Sequence, residues 1–266
     1  MTLDVLHVNI ERDKHIDAIA TLLKERNPHV VCFAEAMYTD VAAISSQLGY
    51  AFVFAPLFLL ENGSKSDQEG SAILSKYPIL KTEKYGYNDA AKEITLERML
   101  EGLVVKNGER PADRFFWNYT LLTALIQIDE QKTVTISTTH FPVTDHSAQG
   151  YEDHVIKSLQ NIDDMEHSKI YLDKLVGIIR SLRAPLVFTA DLNNPRGEYF
   201  YDTLAHELVD HVPPALTSSI DPTLHKTKGL NLVVDTIMTS PDVSAQSLEV
   251  IEGVSDHKAF LAMLDV

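Results

Sequence analysis

Short apolar runs bounded by polar turns punctuate this chain from end to end. Leu3 to Val8 alternates apolar with polar and stops at Asn9, which predicts a half-buried strand opening onto a loop. Val30 to Ala34 and Leu186 to Ala190 are continuously apolar, as strands covered on both faces are. The same reading predicts strands at Ala51–Phe54, Ser71–Leu74, Ile79–Tyr87, Asn231–Met238, Ser247–Val250 and Ala259–Leu264. Leu121–Ile128 and Thr133–Thr139 form a hairpin about Asp129-Glu130-Gln131. Ile16, Ile19, Ala20 and Leu23 recur at helical spacing, and that helix stops near Asn27-Pro28. A second helix covers Val41–Leu48 and ends at Gly49; a third, of about 20 residues, reaches Ile178-Ile179 and ends before Pro185. Glu61–Gly70 is rich in turn formers and reads as a polar loop, and Asn88–Tyr119 has no clear period. Strands dominate both halves, helices are interspersed, and no short repeat recurs. An α/β fold of two stacked mixed β-sheets flanked by helices fits this order.

At 266 residues the expectation is one large domain, 1–266, with a sizeable core. No apolar run approaches the roughly 20 residues that span a bilayer, so no membrane insertion is expected. The start, Met1-Thr2-Leu3-Asp4, lacks the basic opening of a signal peptide, and a cytoplasmic location is the default. Cys32, the only cysteine, excludes an intrachain disulfide and a multi-cysteine zinc site. Set in Val30-Val31-Cys32-Phe33, it reads as a packed core thiol rather than a nucleophile. The 23 basic against 38 acidic residues give a net charge of −15, which argues against tight non-specific binding of duplex nucleic acid. Lys81 to Arg114 is locally neutral, with seven residues of each sign, and reads as a mixed-charge surface insertion.

Polar residues cluster where the strands end. Asn9, Glu35, His140 and Asp191 each terminate or follow a predicted strand, with Asn193 close behind; Asp235 and the pair Asp256-His257 lie near the last strands. Strand ends are where a layered α/β protein exposes side chains to a shared cleft. Several carboxylates, two imidazoles and two carboxamides match what a hard cation and a phosphoryl group require. Taken singly, each has a plainer reading: Glu35 as a cap, Asn9 as a turn residue, Asp191-Leu192-Asn193 as an Asx-type turn before a helix introduced by Pro195, each histidine as a structural one. In a locally extended backbone Asp191 and Asn193 share a face and can hold one water, the carboxylate taking its proton and the amide orienting it. A histidine held by a carboxylate is a tuned base or acid, or donates to phosphate when protonated. The set reads as a metal-dependent phosphoesterase.

In this order Asn9, Glu35, the run Gly70-Ser71-Ala72-Ile73-Leu74-Ser75-Lys76-Tyr77-Pro78-Ile79, Thr139-His140, Asp191-x-Asn193, Asp235 and Ser255-Asp256-His257 resemble the endonuclease/exonuclease/phosphatase superfamily from end to end. The resemblance implies a four-layer α/β sandwich with the site at one edge between two central sheets. It implies Glu35 as principal metal ligand, Asp256 near the metal through water, and Asn9 ordering metal waters and phosphate. Asp191 would position or deprotonate the attacking water with help from Asn193. His257, held by Asp235, would contact the scissile phosphate, and His140 would bind phosphate or protonate the leaving oxygen. Magnesium is the expected ion, with manganese able to substitute: the donors are oxygens, too few for a complete cage. No organic cofactor and no obligate protein partner are indicated. Val233, Thr236, Ala190 and Ala34 stand where many relatives carry Arg, an aromatic residue, Gly and Gln, which separates the chain from the best-known DNA-repair nucleases.

The substrate expected is a phosphodiester, with single-stranded or terminal nucleic acid as one class. Phe115, Phe116, Trp117 and Tyr119 beside Arg110 and Arg114 suit base stacking, or equally the anchoring of a long loop. A small-molecule or lipid head-group ester is the alternative, favoured by the charge of −15. A non-enzymatic binding module on this fold would have lost metal- or water-handling residues, and none is lost. His146, His154 and His167 among acidic neighbours match no ligand spacing and read as a solvated helix face. Phe52, Phe54, Phe58, Leu59 and Leu60 read as core strand and packed loop.

Overall fold

The computed structural model describes residues 2–62, 65–87, 104–106, 118–142 and 165–266. A seven-stranded sheet and a six-stranded sheet lie face to face, each mixed in direction. The first has the order β12-β13-β1-β2-β4-β3-β6, built from β1 (Thr2–Asn9), β2 (Val30–Met37), β3 (Ala51–Asn62), β4 (Lys65–Ser75), β6 (Val104–Lys106), β12 (Ser244–Ile251) and β13 (Ala259–Asp265). The second has the order β10-β11-β9-β8-β7-β5, from β5 (Ile79–Gly86), β7 (Thr120–Gln127), β8 (Thr133–His140), β9 (Leu186–Asp191), β10 (Val209–Asp210) and β11 (Asp235–Thr239). Helices α1 (Ile16–Arg26) and α2 (Tyr38–Leu48) pack on the outer face of the first sheet; α3 (Met165–Ser181) and α4 (Tyr199–Glu207) pack on the second. This is the expected four-layer sandwich. Among the described residues no helix is long and apolar enough to cross a membrane.

The period of two decides which residues meet which layer. In β1, Leu3 and Val5 enter the core between the sheets, whereas Leu6 and Val8 meet α1 and α2. His7 and Asn9 continue the inner series, so the strand aims two polar groups at the opposite sheet. In β2, Val30 and Cys32 face inward and Val31 and Phe33 outward. Cys32 is fully buried, and burial pushes its thiol up to about 12, as a packed and unreactive residue requires.

The alternation breaks at Glu35. Phe33 pairs with Ala72 but Ala36 with Gly70, so β2 carries one extra residue, and Glu35 takes φ +50°. Such a bulge re-aims a side chain: without it Glu35 would follow Val31 and Phe33 toward the helices. On the neighbouring strand a Cβ at Gly70 would strike the Ala55 carbonyl oxygen and the Pro56 Cα, so only glycine fits there.

Three expectations from the pattern need correction. Most of Glu61–Gly70 is strand, because β3 and β4 extend into one long hairpin. The strand expected from Asn231 begins at Asp235, the preceding four residues being irregular. The helix expected at Pro195 starts at Tyr199. The rest of the excursion between 88 and 117, apart from β6, lies outside the described residues.

Candidate active site

Register across the six-stranded sheet sets three side chains in one row. His140 pairs with Asp191 on the parallel neighbour, and Asp191 pairs with Asp235 on the antiparallel one. Because β11 runs opposite to β8 and β9, Asp235 reaches this edge at the start of its strand. From the facing sheet come His7 and Asn9 of β1 and the bulged Glu35 of β2, with Asp256-His257 arriving just before β13.

Hydrogen bonds tie the two groups together. The Asn9 amide donates to Asp191 Oδ2 at 2.9 Å and to Glu35 Oε1 at 3.2 Å, and its Oδ1 accepts the Glu11 backbone N–H at 3.0 Å. Asp191 Oδ1 accepts the Asn193 backbone N–H at 2.9 Å. The Asn193 amide donates to Phe141 O and meets His140 Nε2, both at 2.8 Å. Asp191 and Asn193 therefore cooperate through an Asx-type turn with Asn193 at φ +52°, not across an extended face. His257 Nδ1 lies 2.7 Å from Asp235 Oδ2 and 3.8 Å from Asp191 Oδ2. His140 Nε2 is 3.7 Å from Glu35 Oε1 and 3.8 Å from Asp191 Oδ2. Asp256 Oδ1 accepts the Ser255 hydroxyl at 3.2 Å. All eight residues singled out in the sequence meet at this edge.

The electrostatics follow from burial and neighbours. Burial opposes the charged form of Asp235, but His257 and then His7 hold its carboxyl far below the ordinary range. Burial likewise works against His257, yet Asp235, Asp191 and Asp256 raise it well above a free imidazole. Asp191 is raised, first by burial and then by Asp235. Asp256 is raised by burial and by the charges of Glu11 and Glu35. Glu35 is lowered: His140, Arg12, the Asn9 amide and His257 outweigh its burial.

Several residues here escaped the sequence reading. His7 is fully buried and places Nε2 3.2 Å from Asp235 Oδ1, a second hold on that carboxylate. Its position two before Asn9 on the inward face was the available signal. Arg12 pairs with buried Glu69, whose carboxyl is pushed up to about 7 by burial and by Glu35. His225 stacks edge-on to His257 at 6.3 Å between centroids, its Nε2 4.0 Å from Asp256 Oδ2. Glu11 and His15 bring ligand atoms within 4.8 Å of one another and of Asp256. Glu69 and His225 are brought here by long-range packing, whereas Glu11, Arg12 and His15 follow Asn9 in the turn after β1 and the approach to α1.

Asp191, Asp235 and His257 also gather within 4.8 Å, and within this group His257 and Asp235 are hydrogen-bonded to each other. The demoted candidates divide. Phe54, Phe58, Leu59 and Tyr119 are buried core. Arg110, Arg114, Phe115, Phe116, Trp117, His146, His154 and the side chain of His167 fall outside the described residues.

Comparisons with known proteins bear on the fold and the family. A search of curated proteins yields no match. Among solved structures, an endonuclease/exonuclease/phosphatase from Bacteroides vulgatus has TM-score 0.69 at 16% identity, covering 100% of this chain and 99% of the other. The human Nocturnin catalytic domain with bound sulfate has TM-score 0.65 at 14% identity, covering 99% and 93%. D. rerio TDP2 in complex with a single-strand DNA product has TM-score 0.62 at 13% identity, covering 100% and 99%. At such identities these likenesses establish the fold. The profile of the endonuclease/exonuclease/phosphatase family matches residues 1–257, and the chain belongs to that family.

Proposed function

We propose that this protein is a magnesium-dependent hydrolase that cleaves a phosphodiester by in-line attack of water. The observation that carries the reading is the convergence of Asn9, Glu35 and Asp191 through one amide, with the His257–Asp235 pair beside them. Family members are in general hydrolases of phosphoesters that use divalent metals.

The donor set fits a hard divalent cation. Glu35, Asp256 and Glu11 are close enough for their charges to act on one another, and that repulsion helps raise Asp256. Glu35 and Asp256 would hold the ion, with Asn9 fixing Glu35; oxygen donors favour magnesium, and manganese can substitute. When bound, the cation supplies charge neutralisation at the transferring phosphoryl group.

Asp191 takes the proton of the attacking water: buried, raised and fixed at both oxygens by Asn9 and Asn193, it is an ordered base. Asn193 spends its amide hydrogens on Phe141 O and His140, so its contribution is to fix Asp191 and His140. Protonated His257, anchored through Nδ1, turns Nε2 to a phosphate oxygen. His140 serves the leaving-oxygen side.

For substrate, single-stranded or terminal nucleic acid is the first reading, in keeping with the DNA product bound by TDP2. The charge of −15 favours the second, a small-molecule or lipid head-group ester. A screen of oligonucleotides, nucleotides, sugar phosphates and phospholipids, with magnesium and with excess chelator, tests both. Hydrolysis abolished by chelation and restored by magnesium is the expected result. Unchanged turnover in chelator ends the proposal.

A further inference from the structure

The irregular stretch between β10 and β11 runs alongside the residues that lead into β13. Ile220 pairs with His257 in an isolated antiparallel bridge. The Lys258 N–H donates to Ser219 O at 2.7 Å, and the Asp221 N–H donates to Asp256 O at 2.8 Å. From the other side, Ser219 Oγ accepts the backbone N–H of Val234 at 3.0 Å and of Asp235 at 3.2 Å. One short strap, Ser219 to Asp221, therefore holds the main chain on both sides of the 2.7 Å bond between Asp235 and His257.

Asp221 is buried in this strap, and its two carboxylate oxygens serve different turns. Oδ1 accepts the Thr223 N–H at 2.8 Å, the Thr223 hydroxyl at 2.6 Å and the Leu224 N–H at 3.1 Å. Oδ2 accepts the Gly253 N–H at 2.8 Å, in the turn just before Asp256. The Asp221 carbonyl accepts the His225 N–H at 3.0 Å, and His225 packs edge-on against His257. Only an ionised carboxylate accepts at both oxygens; an amide in its place presents donors on one side.

We infer that Asp221 is a positioning residue for Asp256 and His257, its carboxylate latching the turn that carries them to the strap that aligns Asp235. A carboxylate that merely closed its own loop would need Oδ1 alone. The bond from Oδ2 to Gly253 and the bond from the Asp221 N–H to Asp256 O reach instead into the segment that ends at His257. Asp235 and His257 come from different sheets, so their side chains meet only if the main chain of each is fixed relative to the other. The consequence for rate rests on the hydrolytic reading above; the latch does not.

Amide hydrogen exchange read by NMR tests the latch, first in the wild-type protein. The amides of Asp221, Gly253 and Lys258 should open as one unit with similar protection. A Gly253 amide that exchanges orders of magnitude faster than that of Lys258 overturns the inference, with no variant needed. Asp221→Asn then cuts the latch: with its oxygen kept toward Thr223 and Leu224, its NH₂ faces the Gly253 N–H, donor against donor. Exchange at Gly253 and Lys258 should quicken about tenfold or more, while the amides of β1 and β9 hold. Lys258 bonds to Ser219 and not to the Asp221 side chain, so its release reports movement of the segment bearing His257. Unchanged protection at Lys258 overturns the inference. With bis(p-nitrophenyl) phosphate and saturating magnesium, Asp221→Asn should lower kcat about tenfold at little changed KM, the scale on which partners that orient a site's groups act. A wild-type kcat with Lys258 released would mean that Asp221 only braces the loop. If the wild-type protein hydrolyses no phosphoester, the hydrolytic reading fails while exchange still decides the latch, so the two failures are distinguishable.

Discussion

Asp235 is gripped from both sides, by His257 at 2.7 Å and by His7 at 3.2 Å, and both contacts are buried. His7→Leu should therefore cost about 1–3 kcal/mol, the usual effect of stripping a buried acceptor of one donor, measured by urea unfolding. Asp191→Asn and His257→Ala should each lower kcat by about two orders of magnitude or more while circular dichroism stays native. Near-native turnover in either would mean a misassigned role. The Asp235–His257 pair also sets a pH dependence of stability. His257 is raised, so its contribution is whole below its unfolded value near 6.5 and is lost as pH climbs through the higher folded value. Asp235 is depressed, so its contribution is whole above 3.8 and is lost as pH falls toward the lower folded value. Stability conferred by the pair should peak between 3.8 and 6.5, and Asp235→Asn should flatten the profile in a pH series of denaturation curves.

At the level of the strand, the bulge at Glu35 is the decisive irregularity. A period of two places Val30, Cys32 and Ala34 on the inner face, and one inserted residue brings the following carboxylate to the site. Nothing local announces it: the apolar run reads as a strand from Val30 to Ala34, and a cap on the next segment was the plainer account of Glu35. Its partner β4 tolerates the close approach of β3 only through Gly70. Gly70→Ala should destabilise by about 1–3 kcal/mol through forced backbone displacement, seen as a lower urea midpoint. The central strands β2 and β9 were legible because burial on both faces leaves continuous apolar runs. The long β3–β4 hairpin was not, since its outer half is polar and rich in turn formers, and pairing rather than propensity makes it strand. The start of β11 was misjudged because Asn231 to Val234 matches a strand in composition, yet Arg196 and Leu192 hydrogen-bond to Val233 and Val234 as irregular chain.

The whole molecule explains why eight candidate residues could be found and others could not. Most of the eight sit where the hydrophobic pattern stops, so the pattern itself points to them, whereas Asp235 lies inside the run Asn231–Met238 and was singled out by the resemblance. His225 and Glu69 join the cluster only through the folding of the whole chain, while Glu11 and Arg12 follow Asn9 in a turn that no apolar pattern marks. A cation that binds this cluster should stabilise the fold: raising magnesium a hundredfold above its dissociation constant is worth about 2.7 kcal/mol. Melting temperature should rise with magnesium in the wild type and stay flat in Glu35→Gln, an outcome read without any substrate. Added salt should hardly alter the apparent affinity for a small ester but should steeply weaken a polynucleotide, measured as KM across a salt series.

The Asn9–Asp191 and His7–Asp235 bonds each bridge one β-layer to the other. Under the proposed hydrolysis these groups are thus clasps as well as tools, and a slip of either slab by about 1 Å would undo both duties together. Turnover should consequently vanish in mild denaturant before far-ultraviolet ellipticity falls, making hydrolysis a gauge of how tightly the halves are locked.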